Sequence, residues 1–203
     1  MPKRHSPRPI AREPRWRPAR QFTTAELPTA HRSWLLDDGS LTARLIELDR
    51  GEFRVQRLYQ GWQLPLLSES SLLQVSARER ALVREVCLML DDRAVVFARS
   101  VFPVASLTGD LAHLRFLQNR SLGSILFGYP GMRRSPFEIA LMAGDSDYLP
   151  RQLRQAEPAW GRRSRFVIGG RSLMVSEVFL QGFTPWPSVL AVHRARRGTV
   201  LPG

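Results

Sequence analysis

The β-rich runs Ala81–Leu90 and Ala94–Val101 are separated only by Asp91-Asp92-Arg93, and no other feature constrains the fold so tightly. A link that short cannot make a crossover, so the two runs must be antiparallel neighbours in one sheet. A second pair, Arg165–Ile168 and Arg171–Leu180, is joined by Gly169-Gly170, whose freedom at positive φ suits a two-residue hairpin turn. Phe53–Gln60 and Phe137–Met142 also read as strands. Hairpins in place of regular βαβ crossovers predict an α+β fold, an antiparallel sheet with one face covered by helices.

The helical segments are short. His31–Leu36 is a helix closed by the turn cluster Asp37-Asp38-Gly39, and Ser40 is placed to cap a second helix beginning at Leu41. Thr108-Gly109-Asp110 introduces a helix with Leu111, Leu114 and Leu117 at helical spacing. Ser124–Phe127 forms another after a break at Ser121-Leu122-Gly123. Gly61-Trp62-Gln63-Leu64-Pro65 is expected to end the first strand, and Ser68–Ser71 to form a polar loop.

The chain has 203 residues, 43% of them hydrophobic, enough to bury one sizeable core and to predict a single domain. Its net charge of +12 suggests nucleic acid until the charge is located. Residues 1–20 carry seven Lys/Arg against one Glu, and residues 193–203 carry three Arg and no acid, which leaves only +3 on the body. Residues 1–24 read as a disordered Arg/Pro-rich arm, 25–182 as the folded domain and 183–203 as a Pro-rich basic extension. The arm is either a solvated tail or a weak contact for polyanions. It has no apolar core of a secretory signal, and no run approaches the ~18 apolar residues of a membrane span. Cys87, the only cysteine, lies mid-strand and reads as a small buried hydrophobe, in keeping with a reducing cytoplasm.

Two charges interrupt this patterning. Strand alternation sets Arg84 on one face with Leu82, Val86, Leu88 and Leu90, and Glu177 with Leu173, Val175 and Phe179. A charge in an apolar layer costs several kcal/mol unless it is paired or meets a ligand. The two could pair with each other or with neighbours such as Glu85, or could hold the two ends of a small anion. Arg162-Arg163-Ser164-Arg165 reads either as a solvated turn or as an attractor of anions. His31 and His113 pair with no nucleophile or metal site, and Met132, Met142 and Met174 read as core filler.

Six segments in order, WLLDDGSLTARL (34–45), REVCL (84–88), FARSVFPVASLTG (97–109), LQNRSLGSILF (117–127), WGRRSRF (160–166) and LMVSEVFL (173–180), together resemble the chorismate pyruvate-lyase family. The resemblance implies a six-stranded antiparallel sheet with helical flaps over an internal site. It implies cleavage of chorismate to 4-hydroxybenzoate and pyruvate at the entry to ubiquinone biosynthesis, with neither metal nor redox cofactor. By the same resemblance Arg84 holds the ring carboxylate and Glu177 bonds the 4-oxygen, both serving catalysis, while the backbone at Leu41 and Leu122 contacts the ligand. Members often carry Met where this chain has Leu41, which bears on how the flap packs. Arg99 is a candidate for the enolpyruvyl carboxylate, as is the 162–165 run.

The chain is expected to be cytoplasmic and monomeric, with chorismate and 4-hydroxybenzoate as its small-molecule partners and no specific nucleic acid, and a site that buries the ring and holds both of its polar ends predicts strong product inhibition. Removing residues 1–20 should then leave turnover unchanged, because the arm carries none of the motifs. A different class remains open: a non-catalytic domain that binds a small aromatic acid, as in the effector domains of some transcription regulators. A nucleic-acid-binding role for the basic termini would show as strongly salt-dependent binding.

Overall fold

The structure, a computed structural model, describes residues 12–187 and the backbone of Thr199–Val200. One sheet organises it. Six strands have five residues or more: β2 (Phe53–Gln63), β3 (Ala81–Leu90), β4 (Arg93–Pro103), β6 (Glu138–Met142), β7 (Ala159–Ile168) and β8 (Arg171–Phe179). Three are two-residue strands, β1 (Arg17–Pro18), β5 (Arg133–Arg134) and β9 (Thr199–Val200). The order is β1-β6-β7-β8-β4-β3-β2, with β5 also on β7 and β9 on β5. Every pairing is antiparallel except β5 with β9.

Both predicted hairpins form. Leu90 pairs with Arg93 around Asp91-Asp92, and Ile168 pairs with Arg171 around Gly169 and Gly170, whose φ values of 54° and 77° make this a turn for glycine. Three boundaries differ from the sequence reading. Strand β2 runs through Gly61 to Gln63 because β3 offers partners along its whole length, and a bulge between Arg57 and Tyr59 absorbs the misfit. Strand β7 begins at Ala159, well before Arg165, so Arg162 and Arg163 lie inside the sheet. Ser68–Ser71 is no loop: it belongs to helix α3 (Leu67–Leu73).

Helices cover both faces rather than one, and every residue of β3 is buried. On one face α1 (Thr29–Leu35) and α2 (Leu41–Glu47) pack Trp34, Leu35, Leu41 and Leu45 against Val86, Leu88 and Leu90. The 3-10 helix Gly109–Phe116 and α4 (Leu122–Leu126) pack Leu111, Leu114 and Leu126 against Leu82, Phe102 and Phe166. On the other face lie α3, whose Leu73 meets Val83 and Met174, and a loop that brings Tyr148 against Phe97 and Val178. Among the described residues no helix is long and apolar enough to cross a membrane.

The termini are more integrated than their composition predicts. The Glu13 carboxylate accepts from the amides of Leu67 (2.9 Å) and Ser68 (3.1 Å), capping α3. Trp16 meets Tyr148 edge-on at 5.9 Å, and β1 pairs with β6, so the arm expected over residues 1–24 is part of the domain from residue 12. Phe183 is buried, 4.6 Å from Phe179 between ring centres, and the Trp34 indole donates to the Trp186 carbonyl at 3.2 Å. The start of the expected 183–203 extension is therefore core. Isolated aromatics can dock without any helical or strand period, which is why periodicity missed them. Residues 1–11, 188–198 and 201–203 lie outside the described residues.

Candidate active site

Strand register gathers the charges that the sequence scattered. Across the sheet Arg84 lines up with Ser100, Val175 and Ser164, and the next row on the same face is Val86, Ala98, Glu177 and Arg162. Arg84 and Glu177 are thus two strands and two residues apart, a Cα separation of about 12 Å on a regular sheet. They flank a cavity with about 530 Å³ of empty space, its mouth included. Val86, Leu88, Phe127, Phe166 and Val175 give it apolar walls, and Arg84, Arg134 and Glu177 are its charged groups.

Arg84 is 2% exposed, and among the described residues no carboxylate lies within 4.0 Å of it. Its Nη2 donates to the carbonyls of Gln118 (2.9 Å) and Arg120 (2.7 Å), while Nε is buried without a hydrogen-bond partner. Burial, with help from the nearby Arg57 charge, pulls its pKa down to about 10. The side chain is a fixed cation aimed into the cavity with donors to spare. It pairs with neither Glu177 nor Glu85, so the structural pairing left open by the sequence does not hold for Arg84 among the described residues.

Glu177 spends one oxygen on structure. Its Oε2 accepts from Arg162 Nε at 2.6 Å, and Oε1 carries no hydrogen bond among the described residues. Arg162 is 1% exposed, and its Nη1 donates to the carbonyls of Trp34 (2.6 Å) and Asp37 (2.7 Å). That pairing fixes the carboxylate and ties it to the end of α1. The 162–165 run is accordingly no solvated turn: Arg162 is the support of Glu177, and Arg163 faces the other way.

Arg134 is the cavity's second cation, and sequence reasoning passed over it. Its Nε donates to Ser164 Oγ (2.8 Å) and its Nη1 to the Asp38 carbonyl (3.1 Å). Its guanidinium lies 4.1 Å from the centre of the Phe137 ring and 4.9 Å from that of Phe166. Burial first, then the neighbouring Arg162 charge, lower its pKa to about 9.

Two helix starts close the cavity. Leu41 and Leu122 are the first residues of α2 and α4, capped by the side chains of Ser40 and Ser121, and both line the cavity. As first-turn residues they present main-chain N–H groups that no helix carbonyl can take. Ser121 Oγ donates to Thr42 Oγ1 at 2.9 Å, so the two flaps are latched together. Gly123 permits this approach, since a Cβ there would lie 3.2 Å from Ser40 Oγ.

The opposite face carries a second row of charge. Arg99 is bidentate to Glu69 (2.7 and 3.1 Å) and bonds Glu85 at 2.9 Å, all three buried. Burial would lower the Arg99 pKa, but Glu69 foremost, with Tyr148 and Glu85 adding, drives it up. Arg163 is held by Glu138 (2.7 Å) and Ser68 (2.8 Å). Arg99 is therefore excluded from the cavity: its neighbours in sequence, Ala98 and Ser100, line the site, and alternation turns Arg99 away from it. Cys87 is buried, and burial pushes its thiol up to about 12, the state of an inert packing residue.

An antiparallel sheet here walls a cavity that holds two fixed cations and one carboxylate, an arrangement suited to a small molecule. The chain belongs to the chorismate lyase family, whose sequence profile, described as Chorismate lyase, matches residues 11–186. It is 43% identical over 163 residues to a probable chorismate pyruvate-lyase from Methylococcus capsulatus, covering 79% of this chain and 96% of that protein. A probable chorismate pyruvate-lyase from Pseudomonas aeruginosa is 44% identical over 147 residues, covering 72% and 81%. Among solved structures, the PhnF C-terminal domain is similar in fold, with a TM-score of 0.53 at 14% identity over 67% of this chain and 88% of that one. So is the ligand-binding domain of a protein described as a GntR-family transcriptional regulator from Bordetella bronchiseptica, with a TM-score of 0.52 at 15% identity over 70% and 93%. Identities this low speak to the fold alone.

Proposed function

We propose that this chain is a chorismate pyruvate-lyase that eliminates pyruvate from chorismate and releases 4-hydroxybenzoate, a ring precursor for quinones such as ubiquinone. The observation that carries the reading is the opposition of Arg84 and Glu177 across one apolar cavity in a chain of this family. Arg84 holds the ring carboxylate through charge-assisted hydrogen bonds, and Oε1 of Glu177 accepts from the 4-hydroxyl. Main-chain groups of Leu41 and Leu122 border the ring. In the reaction the C4–H and C3–O bonds break, the hydrogen passes to the enolpyruvyl methylene, and the ring gains its third double bond. Aromatisation drives the step, so the protein need only select one conformer, exclude water and stabilise the charge that develops at the ether oxygen.

The same site is complementary to the product. Release requires the Ser121–Thr42 latch to part, so 4-hydroxybenzoate inhibits strongly and its departure limits turnover. The test is direct: incubate the purified chain with chorismate and a metal chelator, then quantify pyruvate and 4-hydroxybenzoate. Equimolar release of both is expected. Prephenate as the product would overturn the reading, and tight binding of 4-hydroxybenzoate without turnover would replace it with an effector-binding domain.

A further inference from the structure

Chorismate carries two carboxylates, and the site as read so far accounts for one. We propose that Arg134 binds the second, the carboxylate of the enolpyruvyl side chain, an assignment that rests on the lyase reading above. Three observations place it there. Arg134 is, with Arg84, one of the two cations lining the cavity, and no described carboxylate lies within 4.0 Å of its guanidinium. Its Nε and Nη1 are anchored on neutral oxygens, Ser164 Oγ and the Asp38 carbonyl, while Nη2 has no hydrogen bond among the described residues. Three phenyl rings, Phe127, Phe137 and Phe166, surround the guanidinium within 6.0 Å and keep its plane fixed. Among the described residues, the buried strand arginines Arg99, Arg162 and Arg163 each meet a carboxylate, whereas Arg84 and the half-buried Arg134 do not. A desolvated cation held by neutral groups is stable only where an anion arrives.

Position along the sheet selects which anion. Arg84 stands on β3, Glu177 on β8, and Ser164, which anchors Arg134, on β7 next to β8. Across the strands the order is Arg84, then Glu177, then Arg134, with Arg134 reaching Ser164 in the row of Arg84. A ring with its carboxylate on Arg84 and its 4-oxygen on Glu177 carries the enolpyruvyl ether on C3, adjacent to C4 and so at the Arg134 end. Pyruvate leaves with that carboxylate, and 4-hydroxybenzoate keeps nothing for Arg134 to hold.

This asymmetry makes the proposal testable. In Arg134→Gln, kcat/KM for chorismate should fall on the order of 30-fold, the scale of one charge-assisted contact, whereas the Kd for 4-hydroxybenzoate should change less than about threefold. Retained product binding also reports a folded site. Arg134→Lys keeps the charge without the planar fork, and should lose about fivefold on chorismate and nothing on the product. Equal losses for both ligands in either variant would make Arg134 a structural residue and overturn the proposal alone. Unchanged kcat/KM in Arg134→Gln would overturn it as well. A wild-type chain that binds 4-hydroxybenzoate but turns over no chorismate would instead remove the lyase reading, and this assignment with it.

Discussion

Arg84 and Arg99, on opposite faces of the sheet, are equally buried arginines in opposite electrostatic states. On the α3 face Arg99 is closed by two carboxylates, Glu69 and Glu85, and its charge is neutralised within the fold. On the cavity face Arg84 has only peptide carbonyls, and Arg134 only a carbonyl and a hydroxyl. Burial is the same, at 2% exposure for Arg84 and Arg99, yet the pKa shifts run in opposite directions. Burial by itself therefore does not mark function. The informative feature is a buried charge whose counter-charge the described residues do not supply.

Substitutions on the closed face should damage stability and spare the site. Arg99→Ala takes from the buried Glu69 its bidentate partner and should cost about 3–5 kcal/mol in denaturant unfolding, with KM for chorismate unchanged in the folded fraction. A rise in KM without loss of stability would break the comparison. Deleting residues 1–20 belongs on the same side. It removes the Glu13 cap of α3 and the Trp16 packing, and α3 carries Glu69, so about 2–4 kcal/mol should be lost. The expectation from sequence that this deletion leaves turnover unchanged is kept for the folded fraction beside this loss of stability, and thermal melts with steady-state kinetics check both.

Glu177 sharpens the comparison because it belongs to both states, paired through one oxygen and open through the other. Glu177→Gln keeps the size and an acceptor but leaves Arg162 short of its counter-charge. It should lose about 1–3 kcal/mol of stability and roughly tenfold in kcat, while binding 4-hydroxybenzoate better than Glu177→Ala does. The smallest effect is expected at Cys87. Its pKa is raised by burial, so the folded chain keeps the thiol proton above pH 9 where the unfolded chain ionises. Stability contributed by this group is whole below pH 9 and declines from there towards pH 12. Alkylation at pH 8 should label the denatured chain and not the native one, and fast native labelling would contradict its burial.

What the sequence disclosed follows from which interactions are local. Both hairpins were legible because turn chemistry and period-2 alternation sit next to each other in the chain. Arg84 and Glu177 stood out because each interrupts an otherwise apolar strand face. Helix α3 was not legible: Leu67-Ser68-Glu69-Ser70-Ser71 has the composition of a loop, and it is helical because Glu13 caps it and Arg99 holds Glu69. Arg162 and Arg163 sit in a charged run that resembles a solvated turn, and only partners on other strands, Glu177 and Glu138, bring them inside. Arg134 lies on a two-residue strand, too short for any period to register. Its only local sign is a pair of arginines between a glycine turn and a strand, which does not separate a buried cation from an exposed one.

The most direct test of the account removes the open cation itself. Arg84→Ala should weaken 4-hydroxybenzoate binding by about 2–5 kcal/mol and raise KM for chorismate in step, because the contact persists from substrate to product. Unfolding stability should stay within about 1 kcal/mol of wild type, since no carboxylate is stranded and a desolvated charge is lost. Calorimetric titration with 4-hydroxybenzoate, beside a denaturant melt of the same variant, reads both quantities. Loss of binding with stability retained is the predicted result. Full affinity for 4-hydroxybenzoate in Arg84→Ala would contradict the account, for the ligand would then lie elsewhere and Arg84 would be a structural residue.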